Sequence, residues 1–176
     1  MKIIIILLAF ITGLGIFSSG AQNLKKIVAD AETQTTLMFD QIKQAKTVWM
    51  NDLQNKNKPE VVSPRSLTPE GTLDLVPSRD WTSGFFPGIL WFLYELNGKQ
   101  KWETQTRIFT SKIEQEKLNG KTHDMGFKIY CSFGNGFRLT KDPAFKEIII
   151  QSANTLSTRF NPIVGCIRSW DHSRDK

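Results

Sequence analysis

The sequence predicts an all-α protein in which two kinds of helix alternate along the chain. Amphipathic segments alternate with segments that are apolar on nearly every face, and both kinds have the length and spacing of helices. A helix that is apolar all round has to be buried all round. Two concentric rings of helices, with the apolar members inside, would produce this order, and an array of stacked helix pairs would produce it too.

The amphipathic helices are predicted over three ranges, from Leu24 to about Leu53, from Lys101 to Lys117, and from Asp142 to about Arg159. In each range apolar residues recur on one face, and charged or amide side chains occupy the others. The third range also has a clear start, because Asp142 is a favourable N-cap and Pro143 a favourable first helical residue.

The apolar helices are predicted from Gly84 to Leu96 and from Gly126 to Leu139, and Asn97-Gly98 is a stop signal for the first of them. Glycines in the second helix permit close helix packing. The segment between Pro59 and Pro77 contains four prolines, so it cannot be helical, and we expect it to wrap around the surface.

The N-terminus has the pattern of a cleavable signal peptide, predicted over residues 1–21. Lys2 provides the positive charge, residues 3–17 are mostly apolar, and Ser19-Gly20-Ala21 forms a small-residue cleavage site. Export to the periplasm or secretion follows, with no membrane association after cleavage. An uncleaved N-terminal membrane anchor is the alternative.

Composition excludes several functional classes. The net charge of +6 is small and scattered, and with no basic helix it indicates no nucleic-acid partner. Two cysteines exclude a disulfide scaffold, and we expect both Cys131 and Cys166 to be free thiols. We predict no cofactor and no metal site, because the only two histidines lie on separate loops without suitably spaced carboxylates, and no nucleotide-binding motif is present.

Residues suited to chemistry cluster just before the apolar helices, in the segments 79–84, 122–126 and 168–172. If these helices run parallel, their N-termini share one face, where tryptophans, acids and histidines would suit an anionic sugar. Each residue also has a simpler explanation: Asp124 as a helix cap, Asp80 as a surface ion pair with Arg79, and His123 as a turn residue. Trp81 and Trp170 could likewise be packing aromatics.

The strings DWTSGFFPGILWFLYELNG, THDMGF and IRSW resemble the unsaturated glucuronyl hydrolases of glycoside hydrolase family 88. This resemblance implies an (α/α)6 toroid of the six-hairpin glycosidase type. It also implies hydration of the vinyl ether in a 4,5-unsaturated uronic acid at the non-reducing end of a lyase-generated acidic oligosaccharide, such as a glycosaminoglycan-like disaccharide. Asp124 matches one of two essential aspartates, Trp81 and Trp170 match aromatic residues of the sugar site, and His123 is a further substrate-binding candidate.

The second aspartate of the family would follow the residue matching Trp170, beyond Lys176. We therefore expect residues 22–176 to be the incomplete N-terminal part of the toroid domain, inactive and poorly soluble alone. The apolar residues expected to lack partners are Phe85, Ile89, Trp91, Phe92 and Phe127. The alternatives are a related unsaturated galacturonyl or rhamnogalacturonyl hydrolase, and a non-catalytic periplasmic helical-repeat module.

Overall fold

The computed structural model describes the backbone of residues 2–171 and the side chains of residues 23–171. The predicted signal peptide, residues 1–21, lies outside the residues whose side chains are described. Among the described residues, no helix is both long enough and apolar enough to cross a membrane. The chain divides after Phe39 into two compact units, and every predicted site residue belongs to the second.

Helices dominate the described residues, as the sequence predicts, and short 3₁₀ turns follow α1 and α3. The helices are α1 (Lys2–Asn51), α2 (Phe85–Asn97), α3 (Gln100–Ser111), a π-helix (Gly126–Gly134), α4 (Asn135–Thr140) and α5 (Pro143–Ser157). The helix predicted up to Lys117 is therefore too long, because α3 ends at Ser111 and a 3₁₀ turn covers Glu114–Leu118. A cluster of buried apolar residues joins this turn to the π-helix and α5, and consists of Ile113, Met125, Ile129, Phe133 and Ile148.

Helix α2 ends where the sequence predicts, since Gly98 takes the left-handed conformation with φ of 64° and its N–H bonds to the Tyr94 carbonyl. The prediction that this helix is buried on every face is wrong. One face is buried against neighbouring helices, whereas Ile89 and Phe92 on the other are half exposed. The prediction that Trp91 lacks partners is also wrong, because its ring is fully buried and packs edge-on against Phe145, with the ring centroids 6.1 Å apart.

Glycines bring α2 and the π-helix into backbone contact. A Cβ added at Gly84 would overlap the backbone of Phe127 and Lys128, and one at Gly88 would lie 3.0 Å from the Cys131 carbonyl oxygen. Four residues further along α2, from Gly84 to Gly88, the contacted residue on the π-helix also moves forward, from 127–128 to 131. The two helices therefore run parallel. For these two helices the condition stated in the sequence analysis therefore holds, and their N-termini lie at one end.

We expect Gly84→Ala to lower the free energy of unfolding by roughly 1–3 kcal/mol. The added methyl group would overlap backbone atoms, which can move only if the whole π-helix shifts. Denaturant unfolding of the full-length protein measures the change. Gly126→Ala is the matched control, since a Cβ there meets nothing within 4 Å. Equal stability of the two variants would contradict the close packing.

The helix predicted from Gly126 to Leu139 begins as a π-helix, whose turns are wider than those of an α-helix. Two side chains compete for carbonyl oxygens in this stretch. The Ser132 hydroxyl donates to the Lys128 carbonyl at 2.6 Å, and the Asn135 amide donates to the Cys131 carbonyl at 2.9 Å. Such bonds occupy the acceptors that α-helical N–H groups would use, which accounts for the local widening.

Two hairpins were not predicted. Strand β1 (Val61–Leu67) pairs antiparallel with β2 (Leu73–Pro77), and β3 (Phe160–Asn161) pairs with β4 (Cys166–Ile167). The proline-rich segment is therefore non-helical, as predicted, but it forms a hairpin instead of simply wrapping the surface. Its pairing shifts register on either side of Pro64, because proline has no N–H to donate to the ladder.

The start of α5 follows the sequence prediction. The Asp142 carboxylate accepts a hydrogen bond from the Ala144 N–H at 3.0 Å, and Pro143 occupies the first turn. Arg107 binds the other carboxylate oxygen at 2.9 Å and holds the pKa of Asp142 below its usual value.

Asp142→Ala should therefore destabilise the protein by about 0.5–2 kcal/mol, the usual loss when a helix cap is removed. Asp142→Asn is the matched variant, because it keeps a capping oxygen and loses the charge. Thermal unfolding of both variants separates the contribution of the cap from that of the ion pair. An equal loss of stability in the two variants would assign the whole effect to the ion pair with Arg107.

Candidate active site

The first predicted segment forms the turn that leads into α2. The Asp80 carboxylate accepts hydrogen bonds from the Thr82 N–H at 2.8 Å and from the Thr82 hydroxyl at 2.6 Å, and Arg65 binds its other oxygen at 3.0 Å. The expected ion pair between Asp80 and Arg79 is therefore replaced by one with Arg65. Asp80 has a structural role here, because its oxygens hold the turn.

Trp81, on the same turn, is 45% exposed. Its ring forms a triangle of edge-to-face contacts with Phe85 and Phe127, all three pairs of centroids being 5.7 Å apart. Phe127 lies one turn after Asp124 in sequence, so these contacts hold Trp81 beside the start of the π-helix. The half-exposed indole is available as a surface for a ligand.

Asp124 does not cap the helix that it precedes. No side chain caps the π-helix, and the carboxylate instead has the Thr122 hydroxyl at 3.2 Å and His123 Nε2 at 3.4 Å as neighbours. The Thr122 hydroxyl in turn accepts a hydrogen bond from the Asp124 N–H at 3.1 Å. The simplest structural explanation of Asp124 is thereby removed, and its carboxylate remains partly accessible.

The third segment lies against the second. Trp170 is 61% exposed, and its ring meets the His123 ring edge-on with centroids 5.5 Å apart. Ser169 Oγ is 3.4 Å from His123 Nε2, and His123 Nδ1 is buried without a hydrogen-bond partner among the described atoms. The helix expected to begin at 168–172 stays a prediction, because residues 172–176 lie outside the described part of the chain.

Two buried residues that the sequence analysis missed connect the first segment to the second. Lys128 is fully buried, and its ammonium group donates to Glu116 Oε2 at 2.8 Å and to the Arg79 carbonyl at 3.4 Å. Glu116 Oε1 accepts from the Ser78 hydroxyl at 2.7 Å, and the Asn119 amide donates to Oε2. The one sequence feature that could have revealed this buried pair was a single lysine within the apolar run GFKIYCSFG.

Burial raises the pKa of Glu116, but hydrogen bonds from Asn119, Lys128 and Ser78 outweigh it and hold the pKa below its usual value. A carboxyl group with a lowered pKa stabilises the folded state above its unfolded pKa, and this contribution disappears as the pH falls through the folded pKa. The folded protein should therefore lose stability in acid through this group.

In Glu116→Gln this contribution is absent at every pH. We expect the difference in free energy of unfolding between wild type and Glu116→Gln to shrink as the pH falls from about 6 to about 3. Glu95→Gln serves as the control, because Glu95 forms its ion pair with Arg138 at the surface and should shift stability by less than about 1 kcal/mol. A pH-independent difference for Glu116→Gln would refute the assignment.

Three segments that are separate in sequence thus meet around residues 122–127. Contacts join Trp81 to Phe127, and His123 to Trp170. The result is a partly exposed carboxylate with an imidazole next to it and two exposed indoles in the surrounding segments. Among the described side chains, no group of three His, Cys, Asp or Glu residues is arranged to hold a metal ion.

Comparison with known proteins finds two relatives with the same kind of name. The unsaturated glucuronyl hydrolase of Formosa agariphila is 50% identical over 111 residues, covering 62% of this chain and 28% of that protein. The unsaturated glucuronyl hydrolase of Bacillus sp. (strain GL1) is 30% identical over 102 residues, covering 56% of this chain and 27% of that protein. The chain thus spans little more than a quarter of the length of these relatives. No family model matches it.

A solved unsaturated glucuronyl hydrolase specific for heparin has the same fold, with a TM-score of 0.62 and 39% identity over 77% of this chain and 37% of that one. This similarity confirms the prediction that the helices form part of an (α/α)6 toroid. The resemblance to unsaturated glucuronyl hydrolases that the three sequence motifs indicated is therefore confirmed both in sequence and in fold.

Proposed function

We propose that the full-length protein is a glycosidase of glycoside hydrolase family 88 that removes 4,5-unsaturated uronic acids from lyase-generated acidic oligosaccharides. The observation that carries the proposal is the position of Asp124. Its carboxylate is partly exposed, caps no helix, and lies beside His123 in a segment that contacts both tryptophan-bearing segments. The similarity to unsaturated glucuronyl hydrolases supports the reaction class.

The chemistry begins with the vinyl ether of the unsaturated sugar. Protonation at C4 leaves a cation shared by C5 and the ring oxygen, and addition of water at C5 then gives a hemiketal and releases one proton, which balances the proton taken up at C4. The hemiketal opens and releases the remaining saccharide, so one water molecule is consumed for each linkage broken. We assign to Asp124 the stabilisation of the positive charge, since a fixed carboxylate near a developing cation favours the transition state.

The substrate would lie along the two exposed indoles. Trp81 and Trp170 offer flat apolar faces of the kind on which sugar rings stack. We propose glycosaminoglycan disaccharides as substrates, and heparin-type disaccharides first, because the similar solved enzyme is described as specific for heparin. Such substrates also fit export to the periplasm or secretion, which the N-terminal sequence predicts.

The test uses the ultraviolet absorbance of the conjugated double bond, which disappears on hydration. Full-length protein is incubated separately with unsaturated heparin-type and chondroitin-type disaccharides and with unsaturated galacturonyl oligosaccharides. Loss of absorbance with a glucuronyl disaccharide supports the proposal. Activity on galacturonyl ends alone would favour the related hydrolase, and calorimetric binding without any absorbance loss would favour a non-catalytic module.

A further inference from the structure

Arg159, which follows α5, joins two backbone segments through one buried side chain. Only 2% of the side chain is exposed. Its guanidinium group donates to the carbonyl oxygens of Gly120 at 2.8 Å, Arg168 at 2.9 Å and Ser169 at 2.9 Å, and to Asp171 Oδ1 at 3.0 Å. Charge-assisted bonds of this kind are among the stronger hydrogen bonds in proteins.

The two segments that Arg159 joins both carry candidate site residues. Gly120 begins the loop that leads to His123 and Asp124, and residues 168–171 include Trp170. Regular secondary structure does little to hold residues 168–171, because β3 and β4 are two residues long each. The edge-on contact between the His123 and Trp170 rings therefore depends on how the two loops are held together.

We propose that Arg159 is a positioning residue that holds Trp170 against His123 and so fixes one wall of the sugar site beside Asp124. This inference rests on the proposed function. Arginine suits the role because its planar group offers five donors in a fixed arrangement, whereas lysine offers three on a flexible stem. Asp171 and the three carbonyl groups compensate the buried positive charge.

Hydrogen exchange of the full-length protein tests the structural half of the proposal without any substrate. Arg159→Lys should accelerate amide exchange about tenfold or more in peptides covering residues 118–124 and 166–171, since each opens more often when the shared anchor is lost. Peptides from α2 should not change. Arg168→Lys is the matched control, because Arg168 also lies 3.0 Å from Asp171 Oδ1 but is exposed at the surface.

Kinetics test the functional half. Arg159→Lys should raise KM for the unsaturated disaccharide roughly tenfold or more, with kcat altered less than about threefold, because a displaced wall weakens binding more than chemistry. In a Trp170→Ala background the same substitution should raise KM no further, since coupled residues are not additive. A KM rise that persists in that background would overturn the proposal.

If Arg159→Lys leaves amide exchange unchanged in residues 118–124 and 166–171, the proposal for Arg159 is also overturned. If Arg159→Lys accelerates exchange in every peptide, the variant has unfolded globally, and Asp171→Ala then decides. That variant removes one contact of the guanidinium group and should accelerate exchange in the same two segments only, by a smaller factor; no local change would overturn the proposal. Failure of wild-type protein to consume any disaccharide would instead refute the proposed function, while the exchange data still decide the role of Arg159.

Discussion

Asp124→Asn should lower kcat of the full-length protein on its best unsaturated disaccharide by about 10²–10³-fold, the range expected when one group that stabilises transition-state charge is lost. The amide keeps the size of the side chain and can still accept from the Thr122 hydroxyl, so folding should be preserved. The readout is the rate of absorbance loss at saturating substrate, together with the unfolding midpoint.

Asp80→Asn is the matched control for this experiment. Asp80 also precedes an apolar helix, but its oxygens are occupied by Thr82 and Arg65. That variant should therefore lose stability and retain kcat, which is the reverse of the pattern expected for Asp124→Asn. If both variants lose activity in proportion to their stability, Asp124 is structural and leaves the mechanism.

Lys128→Met should destabilise the protein by about 3–5 kcal/mol, the cost of leaving one member of a buried ion pair without its partner. Methionine fills the same volume, so the loss should come from the stranded Glu116 carboxylate and from the unbonded Arg79 carbonyl. Equilibrium unfolding in denaturant measures the effect near neutral pH.

The double variant Lys128→Met/Glu116→Gln should recover more than half of this loss, because it removes both buried charges. Lys117→Met provides the comparison with a half-exposed pair, since Lys117 lies 2.7 Å from Glu114, and this substitution should cost less than about 1 kcal/mol. A double variant no more stable than Lys128→Met would show that the lysine contributes by packing and not by charge.

Much of the helical framework follows from the sequence because its causes are local. The stop at Gly98, the cap at Asp142 and the apolar stripe of α5 each depend on neighbouring residues. The parallel run of α2 and the π-helix was only a condition of the sequence prediction, suggested by the repeated placement of polar segments before apolar ones. The same reasoning placed His123 and Trp170 in one region, where the structure brings their rings together.

The missed features depend on partners distant in the chain or on competition for hydrogen bonds. The β1–β2 hairpin contains prolines that argue against a strand, and only the cross-strand pairing reveals it. Lys128 is buried because Glu116 packs beside it, a contact that no periodicity encodes. Arg159 appeared to be an ordinary basic residue at a helix end, whereas its role depends on carbonyl groups 39 residues before it and 9 and 10 residues after it.

The glycine contacts of α2 also have a consequence for synthesis on the ribosome. The backbone against which Gly84 and Gly88 pack belongs to residues 127–131, which are translated about 40 residues after α2 begins. At roughly 5–20 residues per second, that delay lasts about 2–8 s. During this interval the face of α2 that later packs against residues 127–131 lacks its partner, so once it emerges from the ribosome this face should be a ligand for chaperones that recognise apolar segments.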